Sequence, residues 1–306
     1  MSIAAIGAVF VDVKGYPFST YIPAGRNAGK VEQVDGGVCR NVVEDIANIG
    51  LNPTFLSLVD ENGMGEDALK RLVQHDVNTQ YIKRIKDGMG TWLAVFNEGG
   101  DVVASISKRP DLLPILDTME KYGDEVFSKC DSIIIEFDIE QEIVEKAFYY
   151  AKKYNKEIFC VVANMSLAQS KRDLIQKSSC FVCNQQEAGI LFAYDYDSLT
   201  PAEVEERLVH DVKAAGIPKM VATLGAQGAV YADIDGNHGF VPAIPCDVKD
   251  TTGAGDAFFA GVAAGLTYGK DLAKACEIGT RLAASVITSF EAVCPKFEPE
   301  EFDISI

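Results

Sequence analysis

Asp250-Thr-Thr-Gly-Ala-Gly-Asp-Ala-Phe-Phe-Ala-Gly261 joins a short polar turn to a run of small and apolar residues that continues to Leu266. Ala257 to Leu266 predicts a buried helix starting near Gly255. The first N–H groups of such a helix lack intrahelical acceptors and carry the positive end of its dipole. Gly253, Ala254 and Gly255 leave the backbone nearly bare, and glycine reaches turn dihedrals closed to other residues. The stretch therefore reads as an anion cradle. Asp256 is the odd member, because a carboxylate repels a bound anion. Two readings are open: Asp256 caps the first turn, as acids there commonly do, or it accepts a proton from a hydroxyl that attacks the anion. Asp250 and the hydroxyls of Thr251 and Thr252 exceed what a cap needs.

At 306 residues the chain is long enough to bury a sizeable core, and one α/β domain over 1–306 is expected. Apolar residues make up 48% of it, yet none of the apolar runs approaches the roughly 18 residues of a membrane span. Met1 to Phe10 lacks the basic start and small-residue cleavage site of a signal peptide, so it reads as a strand and the expected location is cytoplasmic. A net charge of −17, from 45 acids against 28 bases, opposes nucleic-acid backbones and anionic membranes. The eight cysteines are scattered, several within apolar runs, which suits buried thiols; Cys180 and Cys183 flank Phe181-Val182 and read as core, not as a metal or redox pair. His75, His210 and His238 stand in polar contexts expected to be exposed.

Along the chain, Ile3 to Phe10 predicts a buried strand delivering Asp12 at its C-terminal end, where ligands of open α/β sheets gather. Residues 14–34 are broken by Gly and Pro and read as a flap or short strands. Gly36-Gly37 opens a helix with Val38, Val42, Ile46 and Ile49 on one face, ended by Gly50. Asn41, one turn in, is either a surface residue or an amide facing vicinal hydroxyls. Thr54 to Val59 predicts a second buried strand delivering Asp60. Tyr81–Ile85, Thr91–Phe96 and Val102–Ile106 carry hairpin signals, including Glu98-Gly99-Gly100-Asp101, and with residues 14–34 they are expected to form a small sheet outside the main one, a lid.

Beyond Pro110 helices about 112–122 and 139–154 alternate with strands Ser132–Glu136, Ile158–Val162 and Cys180–Cys183, which predicts a parallel sheet between helices. Asn184 and Glu187 fit a capping box or a magnesium-bound phosphate. Thr223-Leu224-Gly225-Ala226-Gln227-Gly228 fits a hairpin turn or a nucleotide phosphate site. A long helix over 271–289 closes the pattern. Gly265 to Asp271 lacks the spacing and the Ser or Thr of a P-loop, and Phe258 breaks a dinucleotide fingerprint, so NAD is disfavoured.

The joint order of the Asp12 strand, Gly36-Gly37 with Asn41, the lid, Asn184-x-x-Glu187, Thr223-x-Gly225-x-x-Gly228 and Asp250–Asp256 resembles the ribokinase-like (PfkB) family of sugar and nucleoside kinases. Asp12-Val-Lys14-Gly15, Asn27-x-Gly29-Lys30-Val31 and Gly36-Gly37-Val38-Cys39-Arg40-Asn41-Val42-Val43-Glu44 look most like pseudouridine kinases, and Thr91-Trp92-Leu93-Ala94 is compatible with them. Ser107-Lys108-Arg109 and Ala163-Asn164-Met165-Ser166 depart from that subfamily.

The resemblance implies a three-layer α/β/α sandwich with a mainly parallel sheet and lid segments about 13–35 and 80–108. It implies ATP and Mg2+ as cofactors, Asp256 as catalytic base, and Gly253, Ala254 and Gly255 as anion hole. It places Asp12, Gly37 and Asn41 on a sugar or nucleoside, Asn184 and Glu187 near magnesium and phosphate, and Thr223, Gly225 and Gly228 on the nucleotide. Asp250 and Thr252 would sit beside a monovalent cation such as K+. A nucleoside acceptor, a free sugar and a sensor without catalysis are the three readings, and Trp92 is either base-stacking surface or lid packing. Apolar residues of the lid suggest a homodimer formed through it.

Overall fold

The computed structural model describes residues 2–168 and 171–304. In chain order its elements are β1 (Ile3–Ile6), β2 (Phe10–Pro17), β3 (Gly29–Gly36), α1 (Val38–Asn48), β4 (Thr54–Asp60), α2 (Gly63–Gln74), β5 (Ile82–Ile85), β6 (Gly90–Phe96), β7 (Val102–Lys108), α3 (Ile115–Lys129), β8 (Ser132–Glu136), α4 (Gln141–Tyr154) and β9 (Glu157–Val161). Two short helices, α5 (Met165–Ala168) and α6 (Arg172–Ile175), lead to β10 (Cys180–Asn184), α7 (Gln185–Phe192), α8 (Pro201–Ala215), β11 (Lys219–Thr223), β12 (Gly228–Asp233), β13 (His238–Pro242), α9 (Ala254–Thr267) and α10 (Leu272–Ile287).

Among the described residues the main sheet has nine strands, in the order β13-β12-β11-β10-β9-β8-β1-β4-β5. From β11 to β5 neighbouring strands are parallel, and β12 and β13 are antiparallel additions at one edge. Alternation along each buried strand feeds two cores. Ile3, Ala5 and Ile134 pack toward α1, α2, α9 and α10, while Ala4, Ile6, Ile133 and Ile135 pack toward α3, α4, α7 and α8. A strand covered on both faces is apolar on both sides along its length, which is why Ile-Ala-Ala-Ile in β1 and Ile-Ile-Ile in β8 read as continuous runs. The three-layer α/β arrangement is thus present.

The second sheet has four strands in the order β3-β2-β6-β7, with β2 parallel to β6 and the outer pairs antiparallel. Cross-strand partners share a face, so Asp12, Val34, Trp92 and Ser107 lie together on one side. Val13, Gln33, Leu93 and Ile106 lie on the other.

Three sequence expectations are corrected. The segment Tyr81–Ile85 does not join the lid: β5 pairs with β4 at the edge of the main sheet, Ser57 opposite Ile82. Helix α2, absent from the sequence reading, carries the chain across as a parallel crossover, and a four-residue strand has too little pattern to reveal which sheet it joins. The expected strand Ile3–Phe10 is two strands, so Asp12 sits within lid strand β2 and not at the end of a central strand. Helix α3 begins at Ile115 and runs to Lys129, past the expected 112–122. Helix α8 and strand β13 also went unread.

Candidate active site

Helix α9 starts at Gly253, whose φ of 82° is left-handed, and no side chain caps it among the described residues. A Cβ on Gly253 would overlap the carbonyl oxygen of Ala292, so the turn is pressed against the loop that follows α10. The Ala254 N–H donates to Thr251 O at 3.2 Å and that of Ala257 to Gly253 O at 2.9 Å. Between them the N–H groups of Gly255 and Asp256 lack intrahelical acceptors. A Cβ on Gly255 would meet nothing within 4 Å. Packing therefore does not require a glycine there, whereas close approach of a ligand to the backbone would.

Asp256 does not cap α9. Its Oδ2 accepts a 2.7 Å hydrogen bond from Asn41 Nδ2. Burial raises its pKa to about 6, against the lowering effects of the Asn41 bond and of Arg40. Asn41 lies in the first turn of α1, which begins after Gly37 with φ of 105°. Its Oδ1 is buried and has no partner among the described residues. The neighbouring Arg40 is almost fully buried and spent: it donates to Gly36 O, Asp35 O and Glu44 Oε1. The Asp12 carboxylate lies against Gly36, and burial raises its pKa while Lys14 and Arg40 oppose the rise.

Three cavities converge here. One of about 430 Å³ lies between the lid and α1, lined among others by Asp12, Lys14, Asn41, Asp250, Thr252 and Phe290. A second of about 190 Å³ is lined by Asn184, Glu187, Thr223, Gly255 and Asp256. A third of about 440 Å³ combines Thr223, Gly225 and Gly228 with an apolar wall that includes Ile244, Phe258 and Ile287. Gly255 and Thr223 border the second and third, and the Asn41–Asp256 bond spans the first and second.

Of the residues singled out from sequence, Asp12, Asn41, Asn184, Glu187, Thr223, Gly225, Gly228, Asp250, Thr252, Ala254, Gly255 and Asp256 line these cavities. Gly37 and Gly253 shape the turns behind them. Asn184 and Glu187 form a complete capping box on α7, each accepting from the other's N–H at 2.8 Å. The capping geometry and the cavity-lining position coexist in one pair. Burial raises the Glu187 pKa. Asp250 Oδ1 accepts from the Thr252 N–H at 2.8 Å.

Trp92 is not among the cavity residues; it meets Phe96 edge-on, and Phe96 stacks on Tyr16 at 4.7 Å between ring centroids, an aromatic cluster inside the lid. His75, expected to be exposed, is half-buried and bonds Asn48 Oδ1 through Nδ1 at 2.8 Å. The eight cysteines are free, and Cys180 and Cys183 are buried as expected.

Sequence reading missed several groups around the site. Glu136 closes β8, is buried, and accepts from the Ala8 N–H at 2.9 Å; burial and Asp138 raise its pKa. Arg109, just past the lid strand β7, pairs with Asp138 at 2.8 Å and reaches Glu136 at 3.8 Å. An acid ending an apolar strand was the available signal for Glu136, the same one that drew attention to Asp60. Arg71 bridges Glu44 at 3.0 Å and Glu291 at 3.2 Å, and nothing local in its helix announces that role.

The profile of the pfkB family carbohydrate kinases matches residues 1–296. A guanosine-inosine kinase of Exiguobacterium acetylicum is 32% identical over 291 residues, covering 94% of this chain and 95% of its own length. A pseudouridine kinase of Escherichia coli (strain K12) is 24% identical over 262 residues, covering 85% and 82%. An Arabidopsis thaliana ribokinase solved with ribose and ATP superimposes with a TM-score of 0.83 at 16% identity, covering 98% of this chain and 97% of that one.

Proposed function

Because the chain belongs to the pfkB family of carbohydrate kinases, phosphotransferases that act on an alcohol, we propose that it moves the γ-phosphoryl group of ATP to the hydroxymethyl group of a nucleoside. The observation that carries this reading is the Asn41–Asp256 pair, set between the lid cavity and the uncapped, open first turn of α9. The acceptor hydroxyl enters from the lid cavity, and Asp256 takes its proton as the new O–P bond forms and the bond from the γ-phosphorus to the β–γ bridging oxygen breaks, with ADP leaving. The bare amides around Gly255 face the phosphoryl oxygens, where fixed dipoles stabilise the developing charge. Asp12, with Asn41 and the Gly36-Gly37 turn, holds the pentose hydroxyls.

ATP supplies the phosphoryl group and its Mg2+ screens the phosphate charge. Thr223, Gly225 and Gly228 suit the phosphates, and the apolar wall beside them suits an adenine face. Asn184 and Glu187 would hold the magnesium through water, since Oε2 of Glu187 is engaged in the cap. Asp250 and Thr252, in the turn before α9, would hold a monovalent cation and so help to shape the anion hole.

The lid cavity also speaks to the acceptor's charge. Five acids line it, Asp12, Asp35, Asp67, Asp250 and Glu291, against the three bases Lys14, Arg40 and Arg71. Both arginines are already paired with carboxylates. An acceptor that already carries a phosphate would meet this excess of acids with only the Lys14 ammonium, whose charge acts on Asp12, to offset it, so the site favours an uncharged one.

Residues 1–306 are proposed to act as one catalytic unit, with the lid narrowed to 10–36 and 90–108. Its outer face exposes Val31 at 71% and Ile106 at 70%, a surface we assign to a second copy of the chain. No helix of the described residues is long and apolar enough to cross a membrane, and a cytoplasmic location is proposed.

The test is coupled ATP turnover with magnesium and potassium against guanosine, inosine, pseudouridine, uridine, ribose and fructose 6-phosphate, with product masses to confirm transfer. Turnover of a nucleoside is expected. Turnover of ribose alone would replace the nucleoside by a free sugar, and silence across the panel would favour binding without catalysis.

A further inference from the structure

The lid cavity is graded. Its inner end holds Asn41, Arg40 and Asp12, all polar and largely withdrawn from solvent, next to Asp256. Its mouth carries apolar surface alongside the exposed acids Asp67 and Glu291. Phe290, in the loop after α10, is 81% exposed, the most exposed large hydrophobic residue among those described. Met64, in the first turn of α2, is 44% exposed and Val34, on β3, is 40% exposed; both line the same cavity. Three separate elements therefore bring apolar surface to one opening. The Lys249 ammonium lies 5.9 Å from the Phe290 ring centroid, which leaves the ring held beside a cation and still open.

Distance along this gradient sorts the acceptor's parts. A hydroxymethyl group must reach Asp256, so the pentose occupies the polar inner end. Whatever the pentose carries at its far carbon emerges between Phe290, Met64 and Val34. A free pentose ends before it meets them. A flat heteroaromatic ring covers them, and stacking is the contact an exposed phenyl ring offers such a group.

We infer that Phe290 is the stacking platform for the nucleobase of the acceptor, with Met64 and Val34 closing the mouth around it. This rests on the nucleoside reading above. It shifts base recognition from Trp92 in the lid to the loop after α10.

The experiment compares wild type with Phe290→Ala and Phe290→Tyr on the nucleoside that wild type turns over best. Phe290→Ala is expected to raise the nucleoside KM roughly 5- to 150-fold, the loss of one base stack, with the KM for ATP kept. Phe290→Tyr should restore the wild-type value. A second readout uses Phe290→Trp in a Trp92→Phe background, so that one tryptophan reports from the mouth: nucleoside should quench its emission and ribose should not. A nucleoside KM unchanged in Phe290→Ala overturns the inference and leaves the nucleoside reading standing. Wild type that turns over ribose and no nucleoside overturns both.

Discussion

Asn41 and Asp256, separated by 215 positions in the chain, are joined by a 2.7 Å hydrogen bond from the amide to the carboxylate. It ties the first turn of α1 to the first turn of α9, so one contact fixes the proposed base against the helix that presents it. Burial drives the Asp256 pKa up to about 6, and the Asn41 bond is the largest opposing influence.

The base must be ionised to take a proton. The kcat/KM of the acceptor should therefore fall about tenfold per pH unit on the acid side of about 6, as a single required ionisation dictates. Asn41→Ala removes the bond that lowers this pKa, so the acid limb should move to higher pH. A pH–rate profile of the two proteins measures it, and a limb that stays in place would separate Asp256 from the titration.

Asp256→Asn should cut turnover by roughly 100-fold or more, the size of general-base effects, with ATP affinity nearly kept. It should also raise stability. A carboxyl whose pKa is higher folded than unfolded contributes stability below its ordinary value of 3.8, and loses it as pH rises through about 6. At pH 8 the uncharged variant should gain up to ~3 kcal/mol over wild type, and near pH 4 almost nothing. Thermal melts at both pH values decide the matter; equal melting temperatures throughout would show that the charge is not desolvated.

Neighbouring glycines should behave oppositely. Gly253 has a φ of 82° and no room for a Cβ beside Ala292 O, so Gly253→Ala should lower stability by about 1–3 kcal/mol. Gly255 has open space, so Gly255→Ala should leave stability equal or higher by up to ~1 kcal/mol. Its methyl group then occupies the cavity wall, and the KM for ATP should rise. Melting curves paired with ATP titration test the contrast, and a destabilised Gly255→Ala with normal ATP binding would be the wrong way round.

Asp45 and Asn48 grip Cys294 from both sides. Asp45 Oδ1 accepts from the Cys294 N–H and Asn48 Nδ2 donates to the Cys294 carbonyl, each at 2.6 Å. The gripped loop carries Ala292, against which Gly253 is seated. Burial pushes the Asp45 pKa well up, which favours the neutral acid in the fold, and Asp45→Asn should retain stability and turnover. Asp45→Leu leaves the Cys294 N–H without its acceptor and should destabilise by about 1–3 kcal/mol. Chemical denaturation and kcat of both variants test the pair; an Asp45→Leu protein equal to wild type in both would dismiss the grip.

What was legible in the sequence was local: the bare turn before a buried helix at Gly253–Asp256, the strands apolar at every position, the acids and amides spaced along helix starts. Periodicity and glycine dihedrals are properties of neighbouring residues, so sequence alone determined the α/β class, the bare turn before a buried helix and twelve of the residues that line the cavities. It left Asp256 suspended between cap and base, and it put Ile82–Ile85 in the wrong sheet. Those outcomes depend on partners far along the chain. Only the folded chain brings Asn41 to Asp256, lays Arg109 from the lid across Asp138 and Glu136, and turns Phe290 toward the cavity mouth. Pairing between distant segments is set by packing of the whole core, which no local pattern encodes, and the same packing raises the Asp256 pKa by excluding water from around its carboxylate.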